Sequence, residues 1–204
     1  MPGSDTGEDF PMPMMTTREK LIQAGHEIFY REGFLAVGLD RLLNEVGCSK
    51  QTFYNHFESK DDLIVAVIDE HHRWWSGEVR ERIQRAAGPD PRSQLLGIFD
   101  VIEEIMHDPE YHGCIYINAA VEFPQSHHPA HQSARRAKAE TRNLLEDLSE
   151  RAGASDPPTL AAEIDIIIEG ALITHQIAPE SNVCETARSV ARTLIEKYLP
   201  TPSV

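Results

Sequence analysis

Seven consecutive residues, Lys50-Gln51-Thr52-Phe53-Tyr54-Asn55-His56, hold the densest group of side chains suited to specific recognition. The carboxamides of Gln51 and Asn55 can each donate and accept along one adenine edge, and Thr52 can meet a base or a thymine methyl. Lys50, Tyr54 and Lys60 have the reach and the donors for phosphate oxygens, contacts that fix register without reading sequence. His56 closes the same polar face. The backbone N–H groups at two helix starts, after Gly38 and after Ser49, would also suit phosphates. A merely solvated face is the competing explanation. It fits poorly with a helix too short to hold itself by propensity, which must lean on neighbours while presenting its polar side to something.

The elements that would position this group are legible around it. Thr16 and Glu19 form a capping-box pattern, followed by Leu21, Ala24, Gly25, Ile28 and Phe29 at helical spacing and a stop at Gly33. Leu39, Leu42, Leu43 and Val46 make a second, eight-residue stripe ended by Gly47, and Ser49 then caps a third helix over 50–56. A longer helix, a short one, a glycine turn and a polar helix make the arrangement of a helix-turn-helix DNA reader.

Downstream the pattern stays helical. Ser59 with Asp62 opens a long helix ending before Gly88, with a weak point expected at Gly77. Asp90-Pro91 starts the next, with Leu95, Ile98, Phe99, Ile102, Ile105 and Met106 on one side and a stop at Asp108-Pro109. Residues 113–123 could alternate as a strand, but no partner strand exists elsewhere, so a short buried helix is expected. Pro129 begins an amphipathic helix to about Arg151. The run Leu160–Ile177 is apolar on most of its circumference, which predicts burial nearly all round. A last helix spans about Asn182 to Leu199. The chain is therefore read as all-α: a lead-in over 1–15, a three-helix DNA-binding domain over 16–62, and a C-terminal helical bundle over 63–204.

Nineteen Lys and Arg against thirty-three Asp and Glu give a net charge of −14, which argues against a protein that coats nucleic acid or an anionic membrane. Residues 16–62 carry six basic and eight acidic side chains, and no carboxylate adjoins Lys50 in sequence. Such a head neutralises few phosphates and must depend on base contacts and two-fold symmetry. The first fifteen residues lack the basic start and apolar core of a signal peptide, and no uncharged apolar run approaches the length of a membrane span. Cys48, Cys114 and Cys184 are odd in number and widely spaced, as expected of reduced thiols in the cytoplasm.

The stretch Gly33-Phe34 and then Leu39 through Leu63, above all Ser49-Lys50 to Tyr54-Asn55-His56-Phe57 with Ser59-Lys60 and Leu63, closely resembles the DNA-binding domain of the tetracycline-repressor (TetR) family. Val37 and Gly38 depart from it, standing where the family often has Thr or Ser. Gly113-Cys114 to Phe123-Pro124 is more weakly similar to a segment of one C-terminal subgroup. The resemblance implies a homodimer joined through the last two helices, about 160–199, and a double-stranded palindromic operator. It also implies a small-molecule effector held in the C-terminal domain, whose binding changes the spacing of the two heads and mostly relieves repression.

For that effector the apolar lining is expected from Phe99, Ile102, Met106, Ile117, Phe123 and Ile173, with Glu122 and His175 as polar anchors. Few cations fall in these segments, so an apolar or amphipathic organic molecule is expected rather than a sugar phosphate. Trp74-Trp75 either reaches this pocket or caps the bundle. Among the ten histidines, His127 and His131 have the i, i+4 spacing of a helical metal pair, but Pro129 intervenes and no acid or thiol lies at fixed short spacing. No metal and no cofactor are assigned. Phosphate loop, nucleophile elbow and paired-carboxylate patterns are absent, so no catalytic residue is assigned either.

Overall fold

A computed structural model describes residues 15–199. The expected lead-in falls outside them except for Met15. Among the described residues there are nine helices and no strand: α1 Thr17–Glu32, α2 Leu39–Val46, α3 Lys50–Tyr54, α4 Lys60–Ala87, α5 Pro91–Met106, α6 Ile115–Glu122, α7 Pro129–Arg151, α8 Pro157–Ile177 and α9 Val183–Tyr198. No helix is long and apolar enough to cross a membrane. Local chemistry sets most of the boundaries. The Thr16 hydroxyl accepts the Glu19 N–H at 3.3 Å while the Glu19 carboxylate accepts the Thr16 N–H at 2.7 Å. The Ser59, Asp90 and Asp156 side chains cap α4, α5 and α8, each accepting the N–H three residues on.

The turn between α2 and α3 depends on Gly47, whose φ of 72° lies in the left-handed region. Its N–H and that of Cys48 both donate to the Leu43 carbonyl, at 2.9 and 3.1 Å. The third helix is shorter than its sequence pattern, five residues rather than seven. The N–H groups of His56 and Phe57 both return to the Phe53 carbonyl, which tightens the last turn and leaves Asn55 and His56 outside the helix. Tertiary contact holds it: Phe53 is fully buried, and Phe57 lies beside it with ring centroids 5.6 Å apart. Helix α4 runs unbroken through Gly77, because α5 and α7 pack along it and outweigh the local glycine penalty.

Two cores result. The first joins α1–α3 and the start of α4 to α6 and the first turns of α7, with Phe29, Phe34, Phe53 and Leu63 packed in the same cluster as Ile115, Tyr116, Phe123 and Ala134. Apolar packing therefore continues across residue 62 into the C-terminal helices. The second core fills the bundle, with Leu95, Phe99, Leu145, Leu160, Ile164 and Ile195. Helix α8 corrects the expectation of burial all round. Ile166, Ile173 and Ile177 are 68%, 37% and 79% exposed, and with Gly170 they recur at i, i+7, i+11 and i+4 along one face. Val190 on α9 is exposed as well.

Candidate nucleic-acid interface and the cavity behind it

On α3 the buried Phe53 turns the remaining side chains outward. Gln51, Tyr54, Asn55 and His56 are exposed, and the Gln51 amide donates to Asn55 Oδ1 at 3.2 Å, aligning two carboxamides one turn apart. Tyr54 stands edge-on to Phe53 with 5.3 Å between centroids, so its ring is braced and its hydroxyl faces solvent. Ser49 spends its hydroxyl on the Thr52 N–H (3.1 Å) and on the Thr52 side chain (2.9 Å). Gly38 caps α2 without a side chain, and the space where a Cβ would stand is open.

Two cations differ from their sequence reading. Lys50 does have a carboxylate neighbour, since Asp40 on α2 reaches it at 2.8 Å. Both partners are exposed, so a phosphate can replace Asp40 at little cost. Lys60 does not face outward as a phosphate ligand. Its ammonium donates to the Phe34 carbonyl at 2.5 Å and lies 5.6 Å from the centroid of the Phe29 ring, half-buried at the edge of the first core. Burial depresses its pKa despite Asp61 and Glu122 nearby. The side chain ties the start of α4 to the α1–α2 turn.

Glu122 is engaged at that turn as well, and it is not among the residues lining the cavity behind the head. Its carboxylate accepts the N–H of Phe34 at 3.0 Å and of Leu35 at 2.7 Å. Residue 33 must be glycine for two reasons: φ is 91°, and a Cβ there would stand 3.3 Å from Glu122 Oε1. The last residue of α6 is thus clamped to the reading head.

Behind the head, helices α1 and α4–α8 with the α5–α6 loop line a partly open cavity of about 120 Å³. Of the eight residues expected to line or anchor it, only Ile102 does so. Phe99 and Met106 are buried in packing on the other flank of α5, and Phe123 lies against Phe34 and His128 in the first core. Ile117 faces a separate shallow groove beside α7, and Ile173 sits on the exposed stripe of α8. His175 is buried with Nε2 2.8 Å from the Met106 carbonyl, a structural contact that joins α8 to α5. The cause is common to most of these. Helices apolar on both flanks do not disclose by periodicity which flank meets a void.

The residues that do line it include Tyr30 of α1, His71, Trp75, Val79 and Ile83 of α4, Ile98, Ile102 and Ile105 of α5, Tyr111 and Cys114 of the loop, Tyr116 of α6, Lys138 of α7, and Leu172 of α8. The i+4 steps from His71 to Trp75, Val79 and Ile83 were the legible signal. Trp75 reaches the cavity, whereas Trp74 is 55% exposed outside it. Tyr30 Oη donates to the Gly113 carbonyl at 2.7 Å, and burial raises its pKa to about 12. His71 pairs with His26 of α1, Nδ1 to Nε2 at 2.8 Å, and burial, reinforced by His26 and His72, pushes its pKa down to about 3. Both histidines are neutral at pH 7, so one ring donates and the other accepts. Burial opposes the Lys138 charge, but Cys114 and the paired Glu169 outweigh it and hold the pKa above the usual lysine value. Asp165 is answered by Arg142 at 2.9 Å. His131 Nδ1 lies 2.9 Å from the Phe123 carbonyl, and no group of three metal-ligating side chains occurs among the described residues.

A head of three helices with an outward polar third helix, rooted in a helical bundle, defines a helix-turn-helix DNA-binding regulator. Family models agree with that reading. Residues 21–67 match the model described as "Bacterial regulatory proteins, tetR family", and residues 91–191 match "Tetracyclin repressor-like, C-terminal domain". The chain belongs to the tetR family of transcriptional regulators, which are not enzymes. It is 24% identical to an HTH-type transcriptional regulator in the lacX 3′ region of Lactococcus lactis subsp. lactis, over 90% of this chain and 95% of that one. It is 32% identical to the transcriptional activator FasR of Mycolicibacterium smegmatis, over 56% of this chain and 52% of the activator. The crystal structure of a TetR-family regulator from Streptomyces coelicolor superposes with a TM-score of 0.78 at 27% identity, covering 89% of this chain and 95% of the other.

Proposed function

We propose that this chain is a cytoplasmic homodimeric repressor that binds a palindromic operator and is released by a small effector in the cavity. The observation that carries the DNA reading is the outward face of α3 and its C-cap, Gln51, Tyr54 and Asn55, pinned from beneath by the fully buried Phe53. Gln51 and Asn55 take base edges. Lys50, exchanging Asp40 for phosphate, Tyr54 and the backbone at Gly38 and Ser49 fix register. The exposed stripe Ile166-Gly170-Ile173-Ile177, with Val190 beside it, supports pairing of α8 and α9 with a second copy. An apolar face of this kind is costly in water, and the glycine allows close helix approach. The effector reading is supported by α1, which carries the head and also contributes Tyr30 to the cavity and His26 to the His71 pair. A ligand that displaces either ring displaces α1.

Fluorescence anisotropy with DNA from upstream of the gene tests this reading. Intact protein should bind specifically, and Gln51→Ala with Tyr54→Ala should reduce binding to the level of unrelated DNA. Unchanged affinity in that variant overturns it. Sedimentation of Ile166→Arg/Ile173→Arg should give a monomer, and a dimer would refute the α8 interface. The FasR relative is named an activator. A reporter whose expression falls when the regulator is deleted would assign activation instead.

A further inference from the structure

The head carries six basic side chains, and the structure commits most of them within the protein. Arg31 and Arg41 both pair with Glu32, at 3.0 and 2.5 Å. Lys60 donates to the Phe34 carbonyl, and Lys50 must release Asp40 before it meets a phosphate. Arg18 and Lys20, both exposed on the first turn of α1, have no ion pair among the described residues.

These two are not equivalent. The Arg18 guanidinium lies over the Phe57 ring, 5.2 Å from its centroid, and Phe57 lies 5.6 Å from Phe53, the residue beneath the outward face of α3. Lys20 stands two residues on, about 200° around the helix, and so points away from that contact. Arg18 is therefore the one head cation that is both unpaired and adjacent to the reading helix. Its sequence neighbour Glu19 does not pair with it, because that carboxylate is turned to the Thr16 N–H and hydroxyl, at 2.7 and 3.0 Å.

The contact with Phe57 also presents the charge. The ring attracts the guanidinium through its quadrupole and occupies no hydrogen-bond donor, so the fork of N–H groups that fits a phosphate stays available. The aliphatic stem covers the rim of a core ring while the charge remains in water. Lys50 opens α3 and Phe57 follows its end, so Lys50 and Arg18 stand at opposite ends of the helix. A major groove about 12 Å wide has phosphates along both walls, and cations at the two ends of an inserted helix suit that geometry.

Resting on the operator reading above, we propose that Arg18, which precedes the family-matched stretch 21–67, is a phosphate ligand of the DNA. It supplies the contact that Lys60 does not, at the end of α3 remote from Lys50. The contact takes no part in base recognition, so its loss weakens operator and unrelated DNA alike.

The test is an anisotropy titration of the full chain at about 50 to 200 mM salt, with the upstream DNA and with an unrelated duplex of equal length. Each phosphate contact contributes about 0.9 to the slope of log affinity against log salt, so a dimer that loses one in each head loses about 1.8. Arg18→Met keeps the stem over Phe57 and removes the charge. It should lower the slope by that amount on both duplexes, and its cost in affinity should be about tenfold smaller at 200 mM than at 50 mM. Arg18→Lys keeps the charge and should keep the slope. Lys20→Met removes the same charge from the other side of α1 and should leave the slope at the parent's value. Circular dichroism melting checks that each variant is folded, and Arg18→Gln replaces Arg18→Met if that variant is not. A packing role gives the reverse order, with Arg18→Met close to the parent, and overturns the proposal. So does an equal effect of Lys20→Met, the mark of a diffuse charge effect, or a loss confined to the operator, the mark of base reading. A parent that binds neither duplex overturns the operator reading as well, whereas a parent that binds with a slope unmoved by Arg18→Met overturns the Arg18 contact alone.

Discussion

Truncating Glu122 to alanine should destabilise the protein by about 2 kcal/mol. The figure follows from the two N–H groups that its carboxylate receives. Phe34 is 1% exposed, so its N–H would be stranded beside the first core, and a bond from such a donor to a carboxylate contributes roughly 1.5–3 kcal/mol. Leu35 is 61% exposed, so water replaces the carboxylate there and little is lost. For a chain of this length about 2 kcal/mol lowers Tm by roughly 4–8 °C. Urea unfolding followed by circular dichroism, at one fixed protein concentration because dimerisation is coupled to stability, should show the midpoint moving at constant slope. Glu122→Gln keeps one acceptor oxygen and should lose about half as much. The variant should also bind the operator more weakly, because the α1–α2 turn no longer registers the head against α6. An alanine variant as stable as the parent within about 0.5 kcal/mol would refute the clamp. Intact stability with lost effector binding would restore Glu122 as a ligand anchor.

Other substitutions separate the remaining roles. Lys60→Met should cost about 1–2 kcal/mol through the lost bond to the Phe34 carbonyl, yet leave the salt dependence of operator affinity unchanged; a phosphate ligand would flatten that slope by about one unit. His71 takes up a proton on unfolding, since its folded value near 3 lies below its unfolded value near 6.5. Its contribution is complete above about pH 6.5 and is lost as pH falls toward 3, at about 1.4 kcal/mol per unit. Stability of the parent and of His71→Phe between pH 7 and 5 should therefore diverge in slope, and parallel curves would refute the buried neutral pair. Gly38→Ser has φ of −75° and open space for its side chain. It should raise stability by about 0.5 kcal/mol and tighten binding to all DNA sequences alike by adding a phosphate donor; a loss of stability would show a clash at the α2 cap.

The sequence by itself determined what short-range chemistry determines. Caps at Thr16, Ser49 and Ser59, the left-handed turn at Gly47, proline starts at 91 and 129, and apolar periodicity place the helices and turn Gln51, Tyr54 and Asn55 outward, since each depends on residues within about one turn of one another. Tertiary structure decided what depends on distant partners. Glu122 reads as a carboxylate in an apolar segment until the Phe34 and Leu35 amides, 88 and 87 residues away, are brought to it. Lys60 reads as a phosphate ligand until the Phe34 carbonyl lies within reach. The same holds for the cavity. Helix α5 is apolar on neighbouring flanks, and only its packing against α4, α7 and α9 sends Ile98 and Ile102 to the void and Phe99 into the bundle core. Periodicity specifies that a face is buried. Which neighbour buries it, or whether a void does, is a property of the assembled layers.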